Sequence, residues 1–435
     1  MLELNRRSFL AAASATALAV PPRDRLSGTY SLEKLAAILL PRSDWKPFPS
    51  AADRAGWPRL PPDVRQALIR DGDAQRDTEW PLLPATHFLD YVRTGDRSKG
   101  DSARSRRRNK LRALVMAECA GYQGRFLDAI VNGLWLTFEE SYWGSPAHLN
   151  MQRAGAGLPD VAEPTVDLFA AETAALLAWT DYLLGPELDK ASPLIRKRLH
   201  WEVDRRVLSP CDQRDDFWWM GLGPGGPSRS LNNWTPWVNS NWLTANLLLE
   251  SDEQRRRRMV HKSLQSIDRF LESYHDDGGC DEGPGYWGRA GGSLFDCLEV
   301  LHSATGGGID VYQDPLIQEI GRYIVRAHIH DIYFVNFADA SAKVRIDGDL
   351  VFRYGRRIGD RDMQLLGAFA AGSGEGYTGR GDSIGRQLPA LFNVETLRAA
   401  PKSQPLLRDV FLPGIQVIAA RLRQGSPEGL YLAAK

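Results

Sequence analysis

The sequence predicts a mainly α-helical protein, built as an array of helical hairpins, with the first strands of a β element at its C-terminal end. Apolar residues recur at steps of three and four over several long stretches, and loops rich in proline and glycine separate these stretches. Alternation typical of strands appears only near the end of the chain. With 435 residues, 43% of them hydrophobic, the chain can bury a large core and is too long for one compact bundle.

Three apolar stripes and one further segment predict the main helices. Pro164 is placed to start the second helix, and Ser251 with Gln254 forms a capping box that starts the third. A fourth helix is expected from Pro315 to about Ile332. The stripes are Leu111, Val115, Cys119, Tyr122, Phe126 and Ile130, then Val166, Phe169, Leu176, Leu177 and Leu183, and then Met259, Val260, Leu264, Ile267, Leu271 and Tyr274.

Two strands are predicted at the C-terminal end. Val410 to Arg421 and Leu430 to Ala433 form them, and the glycine-rich turn 425–429 joins them. Two strands alone are marginally stable, so we expect the helical domain to cover 20–405 and a β domain to begin at 406–435.

The N-terminal residues predict export. Arg6 and Arg7 form a twin-arginine pattern before the apolar run 11–20, which ends in an A-x-A-like cleavage site. The run is too short to span a bilayer. We therefore expect residues 1–19 to be a removable signal read by the export machinery, and the mature protein to be periplasmic or secreted.

Composition argues against several classes of protein. Lys+Arg 54 against Asp+Glu 54 leaves no net charge, so we expect no nucleic acid partner. The four cysteines lack C-x-x-C spacing, although Cys280 and Cys297 could pair in an exported protein. Two G-x-G-x-x-G matches, at Gly221 and Gly283, have no strand before them and carry no dinucleotide signal. We expect neither a metal nor another cofactor.

Two runs of basic residues are interpreted as solvated. Arg255 to Arg258 are successive residues of a helix and cannot form one patch. The run 104–110 is placed in a loop before the first helix, where steering of an anionic glycan is the alternative.

Three segments carry the candidate site: 139–148, 231–242 and 276–287. They set amides, carboxylates and a tyrosine among tryptophans, which suits a sugar, because aromatic faces stack on sugar rings while amides and acids bind hydroxyls. For a single residue, a core tryptophan or a capping asparagine is as good an interpretation. The grouping favours a glycan cleft.

These segments resemble the heparinase II/III-like polysaccharide lyases. The patterns E-E-S-x-W-x-x-P-A-H, N-N-W-x-x-W and D-G-G-x-x-E-G-x-x-Y, ending at His148, Trp237 and Tyr286, are similar to those of the family's N-terminal domain. The resemblance implies an incomplete (α/α) toroid followed by a β-sandwich. It also implies β-elimination on a heparin-like, heparan-like or alginate-like polysaccharide.

The resemblance also implies roles for individual residues. Asn233 neutralises the uronate carboxylate, and Tyr286 acts as base, as acid toward the leaving oxygen, or as both. Arg289 is the nearest cation in sequence to favour an ionised tyrosine, and His148 is a candidate catalytic imidazole. Trp234 stands where relatives often carry a histidine. The expected substrate-binding residues are Trp143, Asn232, Trp234, Trp237, Asn241, Glu282, Trp287 and Arg289.

Two other functions remain open. A glycoside hydrolase would need two facing carboxylates, which Glu140 with Glu282 or Asp281 would supply. A non-catalytic glycan-binding scaffold would retain the cleft and bind glycan without cleaving it. In the family, a histidine-rich segment of the β-sandwich completes the cleft. No such segment precedes Lys435, so we expect little lyase activity from these 435 residues.

Overall fold

The computed structural model describes residues 24–224, 230–372 and 383–435. This part of the chain is mainly helical, with two small antiparallel sheets. The predicted signal, residues 1–19, lies outside the described residues. The helices are α1 (Leu32–Ile38), α2 (Pro62–Arg76), α3 (Thr86–Thr94), α4 (Ser98–Gly121), α5 (Leu127–Phe138), α6 (Leu168–Ala191), α7 (Pro193–Val203), α8 (Ser209–Gln213), α9 (Trp234–Leu249), α10 (Glu253–Ser273), α11 (Pro284–Trp287), α12 (Gly291–Ala304), α13 (Pro315–Arg326), α14 (Gly348–Ile358), α15 (Arg361–Gly372), α16 (Ile384–Phe392) and α17 (Val394–Ala399). The strands are β1 (His328–His330), β2 (Tyr333–Phe334), β3 (Asp409–Leu412), β4 (Val417–Arg421) and β5 (Tyr431–Ala434).

The first predicted helix is two helices. Helix α4 ends at Gly121, where Tyr122 adopts the left-handed conformation with φ 51°, and Gly124 follows with φ 76°. These two residues turn the chain before α5 begins. The apolar stripe predicts one continuous helix because Phe126 and Ile130, beyond the turn, belong to the same core as the residues of α4.

The second and third predicted helices exist, but their caps differ from the predicted ones. The Asp167 side chain accepts hydrogen bonds from the Phe169 and Ala170 amides and starts α6, so Pro164 does not. Asp252, and not Ser251, caps α10. The fourth helix ends at Arg326, because the chain then turns into the short β1–β2 pair, which the sequence analysis missed.

Both basic runs were misjudged. Residues 104–110 lie within α4, and Arg104, Arg107 and Lys110 are buried. They were expected in a solvated loop, but carboxylates and backbone oxygens partner them in the interior. Arg255 to Arg258 do lie on a helix, α10, yet Arg256 is 0% exposed and donates to the Leu40 carbonyl oxygen at 2.8 Å.

Helix α9 lies at the centre of the helical packing. It contacts α6, α10 and α12, while α2 packs on α4 and α14 packs on α15. Its residues Val238, Trp242 and Leu247 are fully buried in the main hydrophobic core. The N-terminal end of α9 carries the N-N-W-x-x-W segment, so the core fixes the position of that segment.

The C-terminal sheet has three strands where two were predicted. The stretch expected to be one strand, 410–421, turns at 413–416 and folds back, so β3 pairs with β4 and β4 with β5, both antiparallel. Its inner residues Leu412 and Val417 join the main core, and the Gly414 amide donates to the Asp277 carboxylate at 2.7 Å. The sheet therefore packs against the loop that carries Glu282.

Among the described helices, none has a stretch both long enough and apolar enough to cross a membrane.

Candidate functional site

Three separate parts of the fold bring the predicted segments to one region. A 3₁₀ helix, Pro146–Met151, carries His148. Helix α9 begins at Trp234, directly after Asn233, and the short helix α11 carries Tyr286. Two side-chain contacts, described next, join these three parts.

Asn233 and Glu282 form the first contact. The Asn233 Nδ2 atom donates a hydrogen bond to Glu282 Oε2. Asn233 is buried and Glu282 is half-buried. Burial raises the pKa of Glu282 above its usual value, although the hydrogen bond from Asn233 opposes this rise. The pair fixes the amide plane of Asn233 at the start of α9.

His148 and Trp234 form the second contact. Their ring centroids lie 4.5 Å apart in an edge-on arrangement, and Trp218 lies on the other side of Trp234 at 5.0 Å. The imidazole also stacks on Phe169 at 5.9 Å. The 3₁₀ helix and the start of α9 thus meet through His148 and Trp234.

Asp167 holds the imidazole of His148 in place. The distance from Asp167 Oδ2 to His148 Nδ1 is 2.6 Å, and the Asp167 side chain is fully buried. Burial alone would raise the pKa of Asp167, but the hydrogen bond and charge of His148, the charge of Arg104 and the Ser145 amide outweigh it and lower the pKa. Because a carboxylate binds Nδ1, Nε2 is the nitrogen left to face a ligand. The sequence analysis missed Asp167.

A second cluster lies next to the contacts of His148. It consists of Arg289, Trp237 and Glu172. The Arg289 guanidinium lies 4.1 Å from the centroid of the Trp237 ring, and its Nη1 atom is 3.4 Å from Glu172 Oε1. Trp237 Nε1 donates to the same Glu172 oxygen at 2.8 Å. Arg289 therefore lies in the predicted region, held by Trp237 and Glu172. Glu172, on α6, was not predicted.

Tyr286 is the most exposed of the residues predicted for the lyase, at 38%. It lies on α11, four residues after Glu282 and three before Arg289. Its backbone anchors it to the loop, because its amide donates to the Gly283 carbonyl and its carbonyl accepts from the Arg289 amide at 2.8 Å. Its side chain is therefore not enclosed in the core.

Two predicted sugar-binding tryptophans are core residues. Trp143 and Trp287 are 1% and 2% exposed. Their indole nitrogens donate to the carbonyl oxygens of Thr137 and Ile320, inside the protein. A side chain packed on all faces cannot stack on a sugar, so neither tryptophan is available to bind the glycan.

The two remaining asparagines have local structural contacts. The Asn232 side chain accepts from the Trp234 amide at 3.1 Å, which is the capping role weighed as the alternative. Asn241 donates to the Trp237 carbonyl at 2.9 Å and also lines the cleft described next.

A cleft of about 540 Å³ opens beside this cluster. Helices α4, α6, α9, α12 and α16 contribute to its walls. Of the predicted residues, Trp237, Asn241 and Arg289 line it, and Phe169 connects it to His148. Its polar lining includes Arg104 and Arg108, for which steering of an anionic glycan was the alternative interpretation. It also includes residues that were not predicted: Arg112, Glu172, Asp296 and Arg386. The spacing of the arginines on one helix face was the available signal, which placing the run in a loop concealed.

Glu140, the second carboxylate of the hydrolase alternative, is an ion-pair residue. It is buried and binds Arg107 Nη1 at 3.0 Å and Arg108 Nη2 at 2.5 Å. Both of its carboxylate oxygens accept hydrogen bonds from guanidinium groups, so neither is left to face a glycan. Asp281 is largely exposed and lies 3.3 Å from His275 Nε2.

The described residues contain no group of three or more histidine, cysteine or acidic side chains arranged to hold a metal ion. Cys280 and Cys297 are both buried and free, so the structure contains no disulfide between them.

Comparison with models of known protein families finds none that matches the chain, and comparison with curated proteins finds no match either. The resemblance to the heparinase II/III-like lyases therefore depends on three short sequence segments.

Proposed function

We propose that this protein cleaves a uronic-acid-containing glycan by β-elimination. One observation carries the proposal: residues from three distant segments converge, through the Asn233–Glu282 hydrogen bond and the His148–Trp234 contact. These are the residue types that an elimination next to a carboxylate requires. Such an elimination needs a donor for the carboxylate, a base for the neighbouring proton and an acid for the leaving oxygen.

Asn233 is the donor to the substrate carboxylate. One of its two amide N–H groups is directed at Glu282, and this bond sets the direction of the other. As the proton leaves, negative charge spreads into the carboxylate. A preorganised N–H at that oxygen stabilises the transition state more than the ground state.

His148 and Tyr286 divide the proton transfers. An imidazole is a stronger base near neutral pH than a phenol, so His148 Nε2 removes the proton beside the carboxylate. The electron pair of that C–H bond becomes the new double bond, and the bond to the glycosidic oxygen breaks. The Tyr286 hydroxyl donates its proton to the departing oxygen. The expectation of little activity was based on the missing histidine-rich segment, whereas in the proposed mechanism the candidate His148 supplies the imidazole.

The proposal includes the fold and the location. The helical hairpins form an incomplete (α/α) toroid whose cleft holds the glycan. The twin-arginine pattern directs the protein to the periplasm or outside the cell.

Kinetics of three variants test the residue roles. We expect Tyr286→Phe and His148→Gln to lower kcat on a polyuronate by about 10² or more while glycan binding stays within a few fold, because only proton transfer is lost. Asn233→Ala lowers kcat by a similar factor. The control is His200→Gln, which breaks a comparable pair, with Asp181 at 3.2 Å, outside the cleft. Variants that keep most of the wild-type rate would contradict these roles.

A hydrolase remains the second candidate because burial raises the pKa of Glu282, which favours a carboxyl group able to donate a proton. Glu282→Gln separates the two: it abolishes turnover by a hydrolase, whereas the lyase keeps an uncharged partner for Asn233 and loses much less.

A further inference from the structure

One face of α4 presents three arginines to the cleft. Arg104, Arg108 and Arg112 recur every four residues, so they lie along the same side of the helix, about 6 Å apart along its axis. All three line the cleft. We call these three residues the arginine face.

Arg104 has a buried donor with no hydrogen-bond partner. This residue is 4% exposed, its Nη1 atom donates to Asp101 at 3.1 Å, and its guanidinium lies 3.9 Å from the Phe169 ring centroid. Its Nη2 atom is buried and makes no hydrogen bond within the protein. A buried cationic donor without an acceptor is costly, so an anion bound in the cleft beside Arg104 would be favoured.

The arginine face starts beside the proposed catalytic residues. Phe169 is covered by Arg104 and also stacks on His148. A glycan with one sugar at His148 would therefore extend along α4, past Arg108 and Arg112.

Acidic neighbours neutralise only part of this charge. Glu140 is shared between Arg107 and Arg108, so two cations face one anion. Asp101 is likewise shared between Arg97 and Arg104. Positive charge remains in excess over the whole cleft, because its lining has six arginines, Arg104, Arg108, Arg112, Arg289, Arg357 and Arg386, against three acids, Glu172, Asp296 and Glu299. The partly enclosed cleft strengthens the attraction for an anion.

We propose that the arginine face binds negative groups on successive sugar residues, so the substrate carries a charge on every sugar. This inference rests on the proposed glycan cleavage. The step of about 6 Å between arginines is close to the length of one sugar residue and shorter than a disaccharide. Polyuronates and fully sulfated glycosaminoglycans meet this requirement. Hyaluronan, with a neutral sugar between its uronates, leaves alternate arginines without a partner.

Binding measurements with three oligosaccharides of equal length test the proposal. Calorimetry on the whole protein compares a polyuronate, a sulfated heparin oligomer and a hyaluronan oligomer. We expect the polyuronate or the heparin oligomer to bind at least about tenfold more tightly than hyaluronan, and the difference between those two identifies carboxylate or sulfate as the preferred group. Equal affinity for the polyuronate, the heparin oligomer and hyaluronan overturns the proposal.

Variants of α4 locate the effect. Arg112→Gln is expected to weaken binding of the preferred oligomer about tenfold and hyaluronan much less. Arg106→Gln is the matched control, because Arg106 is exposed on the same helix and does not line the cleft. Asn109→Glu adds a negative charge to the lined face without removing an arginine, and it serves if Arg112→Gln fails to fold. Equal losses for Arg106→Gln and Arg112→Gln overturn the arginine face.

Product analysis separates this inference from the proposed function. Selective binding that depends on Arg112, with no unsaturated product, supports the arginine face and overturns the lyase. Unsaturated product with a KM that Arg112→Gln and Asn109→Glu leave unchanged overturns the arginine face and supports the lyase.

Discussion

At the scale of single residues, Asp167 decides which way His148 points. It accepts from two backbone amides at the start of α6 through one oxygen, and it binds the imidazole and the Ser145 amide through the other. A side chain held at this many points has little freedom to turn. Asp167 is therefore a positioning residue for the proposed base.

Replacing Asp167 with asparagine tests this role. Asparagine also caps helices, so α6 should form, but an amide cannot stabilise the protonated imidazole and sets no single tautomer. We expect Asp167→Asn to lower kcat by about 10² with little change in KM, measured on the preferred glycan. Asp252→Asn makes the same exchange at the cap of α10 and should leave kcat unchanged. A kcat within twofold of wild type would show that Asp167 serves the fold alone.

The raised pKa of Glu282 predicts how the stability of the protein changes with pH. Because burial raises the pKa of Glu282, the folded state binds more protons than the unfolded state once the pH passes 4.5, the ordinary glutamate value. The stability that protonated Glu282 contributes is therefore fully present below pH 4.5. It is lost as the pH rises through the raised pKa of Glu282 in the folded protein. Glu282→Gln should make the free energy of unfolding less sensitive to pH over this window. The control Asp281→Asn changes an exposed neighbour and should leave this pH sensitivity unchanged. Equal pH profiles for wild type and Glu282→Gln would contradict the raised pKa of Glu282.

Residue types in the site were predictable, and their partners were not. The sequence singled out Asn233, His148 and Arg289 because amides, imidazoles and cations in tryptophan-rich loops suit a glycan. Their partners are Asp167, the residue that caps α6, and Glu172 on α6, in a stretch whose periodicity indicates only a helix. Tertiary packing creates these pairs, and no spacing rule in the sequence encodes them.

At the scale of elements, the loop 276–283 owes its course to close packing. Gly278 has a φ of 71°, and a Cβ there would overlap the backbone carbonyl of Glu319 on α13. Asp277 in the same loop accepts from the Gly414 amide, so α13 and the C-terminal sheet both hold this loop. Glu282 and Tyr286 follow directly from it.

Two glycine substitutions separate the effects of conformation and packing. Gly95→Ala, at a left-handed position with open space around it, should cost about 1 kcal/mol of unfolding free energy. Gly278→Ala combines the same conformational strain with the overlap and should cost about 3 kcal/mol or more, measured by denaturant unfolding. Similar losses in the two variants would show that α13 does not confine the loop.

Helices were easier to predict than their ends. The stripes from Leu111 and from Met259 mark real helices because a buried face imposes its period on the sequence. That period cannot show the turn at Tyr122, since residues on both sides of the turn face the same core. The three-stranded sheet was also undercounted, because the turn signal of Pro413 and Gly414 was overlooked within a largely apolar stretch.

At the scale of the whole molecule, the helical packing creates the cleft and sets its charge. Helices α4, α6 and α9 bring Arg104, Glu172 and Trp237 to one opening although they are far apart in the sequence. A chain with no net charge thus presents a positive wall where an anionic glycan would lie.

Export is predicted from Arg6 and Arg7. We expect replacement of both by lysine to keep the protein in the cytoplasm, because twin-arginine signals require the arginine pair. Immunoblots of periplasmic and cytoplasmic fractions measure the distribution, and the change Asn5→Gln beside the pair is the control. Unchanged periplasmic yield in the double variant would exclude this route.

Analysis of the reaction product in heavy-oxygen water tests the proposed elimination most directly. The protein is incubated with a polyuronate oligomer, and the masses of the products are measured by mass spectrometry. Elimination adds no water, so we predict a new end group with an unsaturated uronate, ultraviolet absorbance and no heavy oxygen. Saturated products that carry one heavy oxygen at the cleaved bond would contradict β-elimination and establish hydrolysis.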